Sequence, residues 1–347
     1  MKAKSDSGKI RERKLLRWFL FLAILLVFSG VAFMIGLSTG EMDIPLRSIP
    51  GILLAKEGIE YVVLYQVRLP RILLALAVGG GLSLSGAILQ GIYRNPLVEP
   101  YTLGISGGAA LGVALAIVLA LPVTLGAYIL PLAGFLGALV AIFLVYSLGI
   151  RQGSINVNNM LLIGVMVSFV SSAFMMLLMS ITTAQNLHSI VFWMMGSLDE
   201  PDGTLIRLTI VVSLAALVSS MFFFRPLNAL RLGETDAMHL GVNTETSIRV
   251  LFVIASLLAG VCVAAAGVIG FVGLVIPHFV RMIAGSDYRM LLPGSFLGGG
   301  IFLVICDAVA RTVISPNELP IGVITGIIGG TMFILFLSRS RSSLKMN

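Results

Sequence analysis

Apolar runs of membrane-spanning length recur along this chain, and they decide what it can fold into. Trp18 to Leu37 and Asn158 to Ile181 are apolar almost without interruption, and a helix needs about 20 such residues to cross a ~30 Å hydrocarbon core. Backbone polar groups in lipid must be satisfied internally, so spans are helices or closed barrels. A barrel would show alternating strands of ~10 residues, which these runs exclude. Composition agrees: 58% of the 347 residues are hydrophobic and 11% are charged, less than half of the ~25% usual in soluble domains. With a mean hydropathy of +1.04, the chain reads as an all-α polytopic membrane protein.

Windows of about 20 residues place spans near 18–37, 70–90, 103–121, 126–148, 158–181, 204–224, 248–267, 268–284, 291–310 and 319–337. The shortest, 268–284, contains Gly270, Gly273 and Pro277 and is expected to be broken or tilted. Ten spans leave a basic N-terminal arm, 1–17, and a tail, 338–347, on one side of the membrane. Lys and Arg then divide 17 to 6 in favour of that side, which the positive-inside rule makes cytoplasmic. The arm carries seven bases and no cleavage signal before Gly36, so it reads as an uncleaved anchor.

A shift of 181 residues lays Arg68, Gly79, Gly86, Ile88 and Pro96 on Arg249, Gly260, Gly267, Ile269 and Pro277. Five spans separate the two copies. An odd number inverts one copy against the other, as in many transporters. Glycines four residues apart, Gly104/Gly108/Gly112, Gly294/Gly298 and Gly322/Gly326/Gly330, read as faces on which helices approach closely.

Several chemistries are excluded. There is no G-x-x-x-x-G-K-[ST] loop to cradle nucleotide phosphates. His188, His239 and His278 are scattered, and Cys262 and Cys306 sit in apolar runs without ligand spacing, so no metal centre and no bound cofactor is expected. A nucleic-acid partner is not needed to explain the net charge of +7, because the bases sit at span ends. Asp307 is the one acid inside a predicted span, four residues before Arg311, where an i,i+4 ion pair accounts for it.

Other residues are more informative. Arg68, Arg71 and Arg311 stand on the outer side, against the charge trend. They are either lipid-phosphate anchors or a docking site for carboxylates of an external partner. The longest cytoplasmic connection, about 225–247, carries Leu227, Leu230, Leu232, Met238 and Leu240 broken at Gly233 and Gly241. That pattern predicts two short helices around Gly233-Glu234, a surface for a cytoplasmic partner. The fifth span offers Ser168, Ser171 and Ser172 among Met175, Met176 and other methionines. These serines either bond their own i−4 carbonyls or line a pathway.

The segments "RLPRILLALAVGGGLSLSGAILQGIYRNPLVEPYTLGISGGAALG", "RPLNALRLGETDAMHLGV", "AAGVIGFVGLVIPHFVRMI" and "LPGSFLGGGIFLVICDAVARTVISPNELPIGVITGIIGG" closely resemble the FecCD family, the iron-siderophore/cobalamin type of ABC import permease. The resemblance implies a ten-span, BtuC-like importer subunit in the inner membrane that is no enzyme itself. It further implies a second permease copy, two ATPase subunits that use the ATP, and an external binding protein. By that analogy Arg68, Arg71 and Arg311 receive the binding protein. Pro226 to Gly241, including Leu227, Leu230, Gly233, Glu234, Met238, Leu240 and Gly241, couples to the ATPases. The fifth span, with Ser168, Ser171, Ser172, Met175 and Met176, lines the pathway, and the loop Arg151 to Asn159 lies at an inner gate. The expected cargo is a metal chelate, a ferric siderophore first, with cobalamin, haem or an oxyanion open. An ion-coupled secondary transporter is the alternative that the inverted repeat would also suit.

Overall fold

The computed structural model describes residues 2–343 except 43, 127, 152–153, 200–201 and 315–316. The expected tail, 338–347, lies partly outside them; its first six residues continue the last helix. The first helix, α1 (Lys2–Ser38), is followed by α2 (Ile49–Ala55) and α3 (Ile59–Val62), which passes through π-helical turns at Val63–Arg68 into α4 (Leu69–Tyr93). Next come a 3-10 turn at Pro100–Leu103, α5 (Ile105–Val118), α6 (Leu121–Leu125), α7 (Ile129–Gly149), α8 (Val157–Ile181) and α9 (Ala184–Met194). The remainder is α10 (Gly203–Met221), α11 (Phe224–Leu230), α12 (Glu234–His239), α13 (Thr244–Ala266), α14 (Val272–Ala284), α15 (Tyr288–Thr312) and α16 (Ile321–Ser343).

Small polar residues set several starts. Asn156, Thr183, Asp202, Asn243 and Asp287 each accept a backbone N–H in the first turn of α8, α9, α10, α13 and α15, satisfying donors a helix leaves open. Among the described residues, seven helices are long and apolar enough to cross a membrane. Three shorter apolar helices, Ile105–Val118, Val272–Ala284 and Ile321–Phe336, fall in the remaining expected windows. Three features were not anticipated. The N-terminal arm is continuous with α1, α9 occupies a stretch expected to be loop, and Ile150–Arg151 pairs antiparallel with Ser154–Ile155, Ile150 opposite Ile155 and Arg151 opposite Ser154.

The post of the bundle is α4, buried from Ala77 through Tyr93 and enclosed by α10, α13, α14 and α15. Glycine permits this. A Cβ on Gly79 would strike the backbone of Gly299 on α15, a Cβ on Gly299 would strike that of Gly79, and Gly86 meets Gly273 of α14 in the same way. Paired contacts fix the helix directions. Leu76 and Gly80 lie against Gly300 and Phe296, and Gly81 and Ser85 against Cys262 and Ala255, so α15 and α13 both run antiparallel to α4.

The inverted repeat is present, but not in the register the sequence suggested. The order of long and short helices α1, α4, α5, α7, α8 recurs as α10, α13, α14, α15, α16, and α4 opposes its counterpart α13. The offset drifts, however: Val272 opens α14 167 residues after Ile105 opens α5. Accordingly Gly86 is inside α4 while Gly267 ends α13 with φ 69°, and Pro96 is in a loop while Pro277 is inside α14.

The expected break near 268–284 is found beside the middle of α4. Between α13 and α14 the chain is extended, and its backbone groups find partners: Ile269 N–H donates to the Tyr101 hydroxyl at 3.1 Å, and Ala266 C=O accepts from Ser197 N–H at 2.9 Å. Irregular backbone survives at membrane depth only where protein supplies such partners.

Candidate functional site

At the end where α4 begins, the three arginines singled out by sequence are brought together, but they face inward. Arg68, Arg71 and Arg311 are 3%, 8% and 5% exposed. Because α4 and α15 are antiparallel, Arg71 in the first turn of α4 meets the last turns of α15. Its Nε lies 2.8 Å from Asp307 Oδ1 and its Nη1 2.7 Å from Glu318 Oε2. Arg311 Nη2 lies 3.0 Å from Asp307 Oδ2, so one fully buried carboxylate serves two guanidinium groups.

The remaining donors go to α1. Arg311 donates to Thr39 O at 3.1 Å and to Gly36 O at 3.2 Å, while Arg68 donates to Leu37 O at 2.5 Å, Ser38 O at 3.1 Å and Met42 O. The last turn of α1 has no basic residue of its own. These arginines supply the positive charge and the donors that a helix C-terminus lacks. Burial and internal pairing leave none of the three arginines expected to receive the binding protein an open fork at the surface of this chain. At this end the exposed bases are Arg47, Lys56 and Arg207.

At the opposite end the two predicted short helices exist, α11 and α12, with Gly233 between them at φ 124° and Gly241 after them at φ 80°. Their leucines divide. Leu227 and Leu230, expected in the coupling segment, are buried within the chain, Leu227 against Gly91 of α4. Leu232, Met238 and Leu240 are exposed, and Glu234 is half-buried at the first turn of α12.

This elbow is fastened to the α14–α15 turn. Asn228 Nδ2 donates to Asp287 Oδ1 at 3.0 Å, Asn228 Oδ1 accepts from Tyr288 N–H at 3.1 Å, and Arg231 Nη1 donates to Ser286 O at 2.8 Å. Lys14 of α1 joins at 3.3 Å from Asp287 Oδ2. Partial burial works against the Asp287 charge, but the Arg289 N–H, the Asn228 amide and the Lys14 ammonium outweigh it and hold the carboxyl below its ordinary value.

Of the expected pathway residues on α8, Met176 is on the open face and the other four are not. Ser168 donates to Gly164 O at 3.1 Å, the i−4 bond expected as one reading. Ser171 is buried against Gly107 of α5, Ser172 is half-buried and Met175 is buried. What α8 exposes is apolar: Met166, Phe169, Val170, Phe174, Met176 and Leu177. Residues 152–153 of the expected gate loop lie outside the described residues.

One residue escaped the sequence reading. Glu99, between Pro96 and Pro100, accepts the Phe271 N–H that precedes α14, so a second acid is brought to the break. Its prolines mark a rigid turn, but nothing local tells where that turn is aimed. Among the described residues no group of three or more His, Cys, Asp and Glu is placed to hold a metal ion.

Comparison with known proteins assigns this architecture. The chain is 35% identical over 337 residues to the hemin transport system permease HmuU of Yersinia pestis, covering 96% of this chain and 98% of that one. It is 39% identical over 341 residues to the vitamin B12 import permease BtuC of Klebsiella pneumoniae, covering 98% and 99%. A solved metal-chelate type ABC transporter in an inward-facing conformation superposes with a TM-score of 0.80 at 32% identity, over 92% of this chain and 99% of that chain. PsaBC from Streptococcus pneumoniae, at 16% identity and a TM-score of 0.52 over 83% and 94% of the two chains, shares the fold. The FecCD transport family profile matches residues 24–339, and the chain belongs to that family of ABC-importer permeases.

Proposed function

We propose that this chain is the membrane-spanning permease of a binding-protein-dependent ABC importer that moves a metal chelate across the inner membrane of a prokaryote. All ten apolar helices cross, and both termini are cytoplasmic. The observation that carries this reading is the α11–α12 elbow: two short helices with exposed Leu232, Met238 and Leu240, pinned to the α14–α15 turn in a chain whose sequence has no phosphate loop. A permease without its own nucleotide site needs such a handle, through which the two ATPase subunits tilt the bundle between outward- and inward-facing states. The binding protein docks at the opposite end, where Arg47, Lys56 and Arg207 are the exposed bases and Arg68, Arg71 and Arg311 build the platform beneath them. The pathway runs along α8 between two copies, because one chain leaves that helix largely uncovered.

For the cargo, hemin and vitamin B12 in the names of HmuU and BtuC support a metal chelate, and the ferric siderophore remains the leading member. Asp307, the one acid inside a predicted span, is held between two arginines and is not available to carry an ion. The test is uptake into proteoliposomes containing the permease and its ATPase, with the binding protein loaded in turn with ferric siderophore, hemin and cobalamin. Accumulation should require both companion proteins and ATP. Accumulation driven by an ion gradient with the permease alone would overturn the reading.

A further inference from the structure

Arginines stand at both ends of the molecule, and the two ends treat them differently. At one end Arg71 and Arg311 are matched by Asp307 and Glu318. At the other, Arg94, Arg231 and Arg281 line one recess with Gln90 and Tyr288. Among the described residues no carboxylate lies within 4.0 Å of any of these three arginines; Glu234, Asp236 and Asp287 are all farther away.

Their partners are neutral. Arg281 donates to Gln90 Oε1 at 2.9 Å, and Arg231 to a backbone carbonyl. The Arg94 side chain makes no hydrogen bond or ion pair with any described residue. Such contacts orient a guanidinium group without cancelling its charge. The carbonyl ends of α4 and α14 offer only about half a charge each, and the nearby carboxylate of Asp236, 3.9 Å from a Cβ on Gly233, is one acid against three guanidinium groups, so the recess keeps a net positive charge.

Location narrows the occupant. A Cβ on Gly233 would lie 3.6 Å from Arg94 Nη1, which puts the recess against the α11–α12 elbow. Arg94 and Arg231 are exposed beside that elbow, on the side that the proposed topology makes cytoplasmic. We propose that this recess seats acidic side chains of the ATPase subunit. Arg94, Arg231 and Arg281 receive carboxylates there, beside the apolar contact made by Leu232, Met238 and Leu240. The proposal rests on the importer reading and names the chemistry of that partner's surface. Guanidinium forks suit carboxylates in bidentate pairing, and charges at an interface rim act mainly on encounter rate and salt dependence.

The experiment titrates the purified permease with its ATPase subunit at about 50 mM and roughly 500 mM salt, since the Debye length falls well below 10 Å at the higher value. Arg94→Glu is the informative variant, because its side chain supports nothing else in the fold. It should weaken binding ~10-fold or more at low salt and only ~2–3-fold at high salt, with Arg94→Lys intermediate because an ammonium keeps the charge but not the fork. Wild-type binding that Arg94→Glu and Arg231→Glu leave unchanged at low salt overturns the proposal. So does a recess that binds inorganic phosphate while ATPase affinity ignores both variants. Wild-type permease that binds no ATPase at any salt would instead bring down the importer reading itself.

Discussion

Asp307 shows what a single residue carries here. Its carboxylate is fully buried between Arg71 and Arg311, so truncating it leaves two guanidinium groups inside the bundle with less compensation, a change that typically costs about 3–5 kcal/mol. Glu318 touches the same Arg71 but is 44% exposed, and solvent screens such a pair to about 1 kcal/mol or less. Denaturant unfolding in detergent should therefore show Asp307→Ala far more destabilised than Glu318→Ala; equal losses would mean the buried carboxylate is not the hub. The i,i+4 pairing of Asp307 with Arg311 was legible in the sequence from spacing alone. Arg71 was not, because it arrives from 236 residues away through an antiparallel helix contact that no local pattern encodes. For the same reason Arg68 and Arg311 read as outward-facing docking groups: sequence gives the side of the membrane, not whether a side chain turns toward water or toward a neighbouring helix end.

Among the elements, α4 and α15 depend on glycine at their crossing. Gly79→Val should separate the helices and abolish a monodisperse, cooperatively melting protein. Gly326→Ala, where nothing lies within 4 Å of the added Cβ, should leave the melting temperature within a degree or two, consistent with ±0.5 kcal/mol for featureless sites. Thermal melts of both variants in one detergent check the pair, and a tolerated Gly79→Val would disprove the close approach. Long apolar helices were legible to within a few residues because lipid demands one period and one length. The glycine rows were legible as packing faces where they meet another helix, as Gly108 and Gly112 do against α7 and Gly294 and Gly298 against α14. Gly104 departs from its row, sitting at φ 80° before α5. The short α9 was missed because eleven residues with mixed polarity resemble an external loop, and the repeat was found at one offset because insertions between helices shift the others.

For the whole molecule, the proposed pairing of two copies makes a prediction at the apolar face of α8. A second copy related by a twofold axis would place this face against itself or its symmetry mate, as an isologous interface requires. With Cys262 and Cys306 buried, a cysteine placed by Phe174→Cys should cross-link two copies in membranes. Only monomer under conditions that cross-link a known membrane dimer would count against pairing. The hold that Arg68 and Arg311 take on α1 reaches into biogenesis. The carbonyls of Gly36 and Thr39 wait for a side chain made some 270 residues later, so the tip of α1 closes only when α15 is inserted, and a nascent chain stopped before Arg311 carries an unfinished α1.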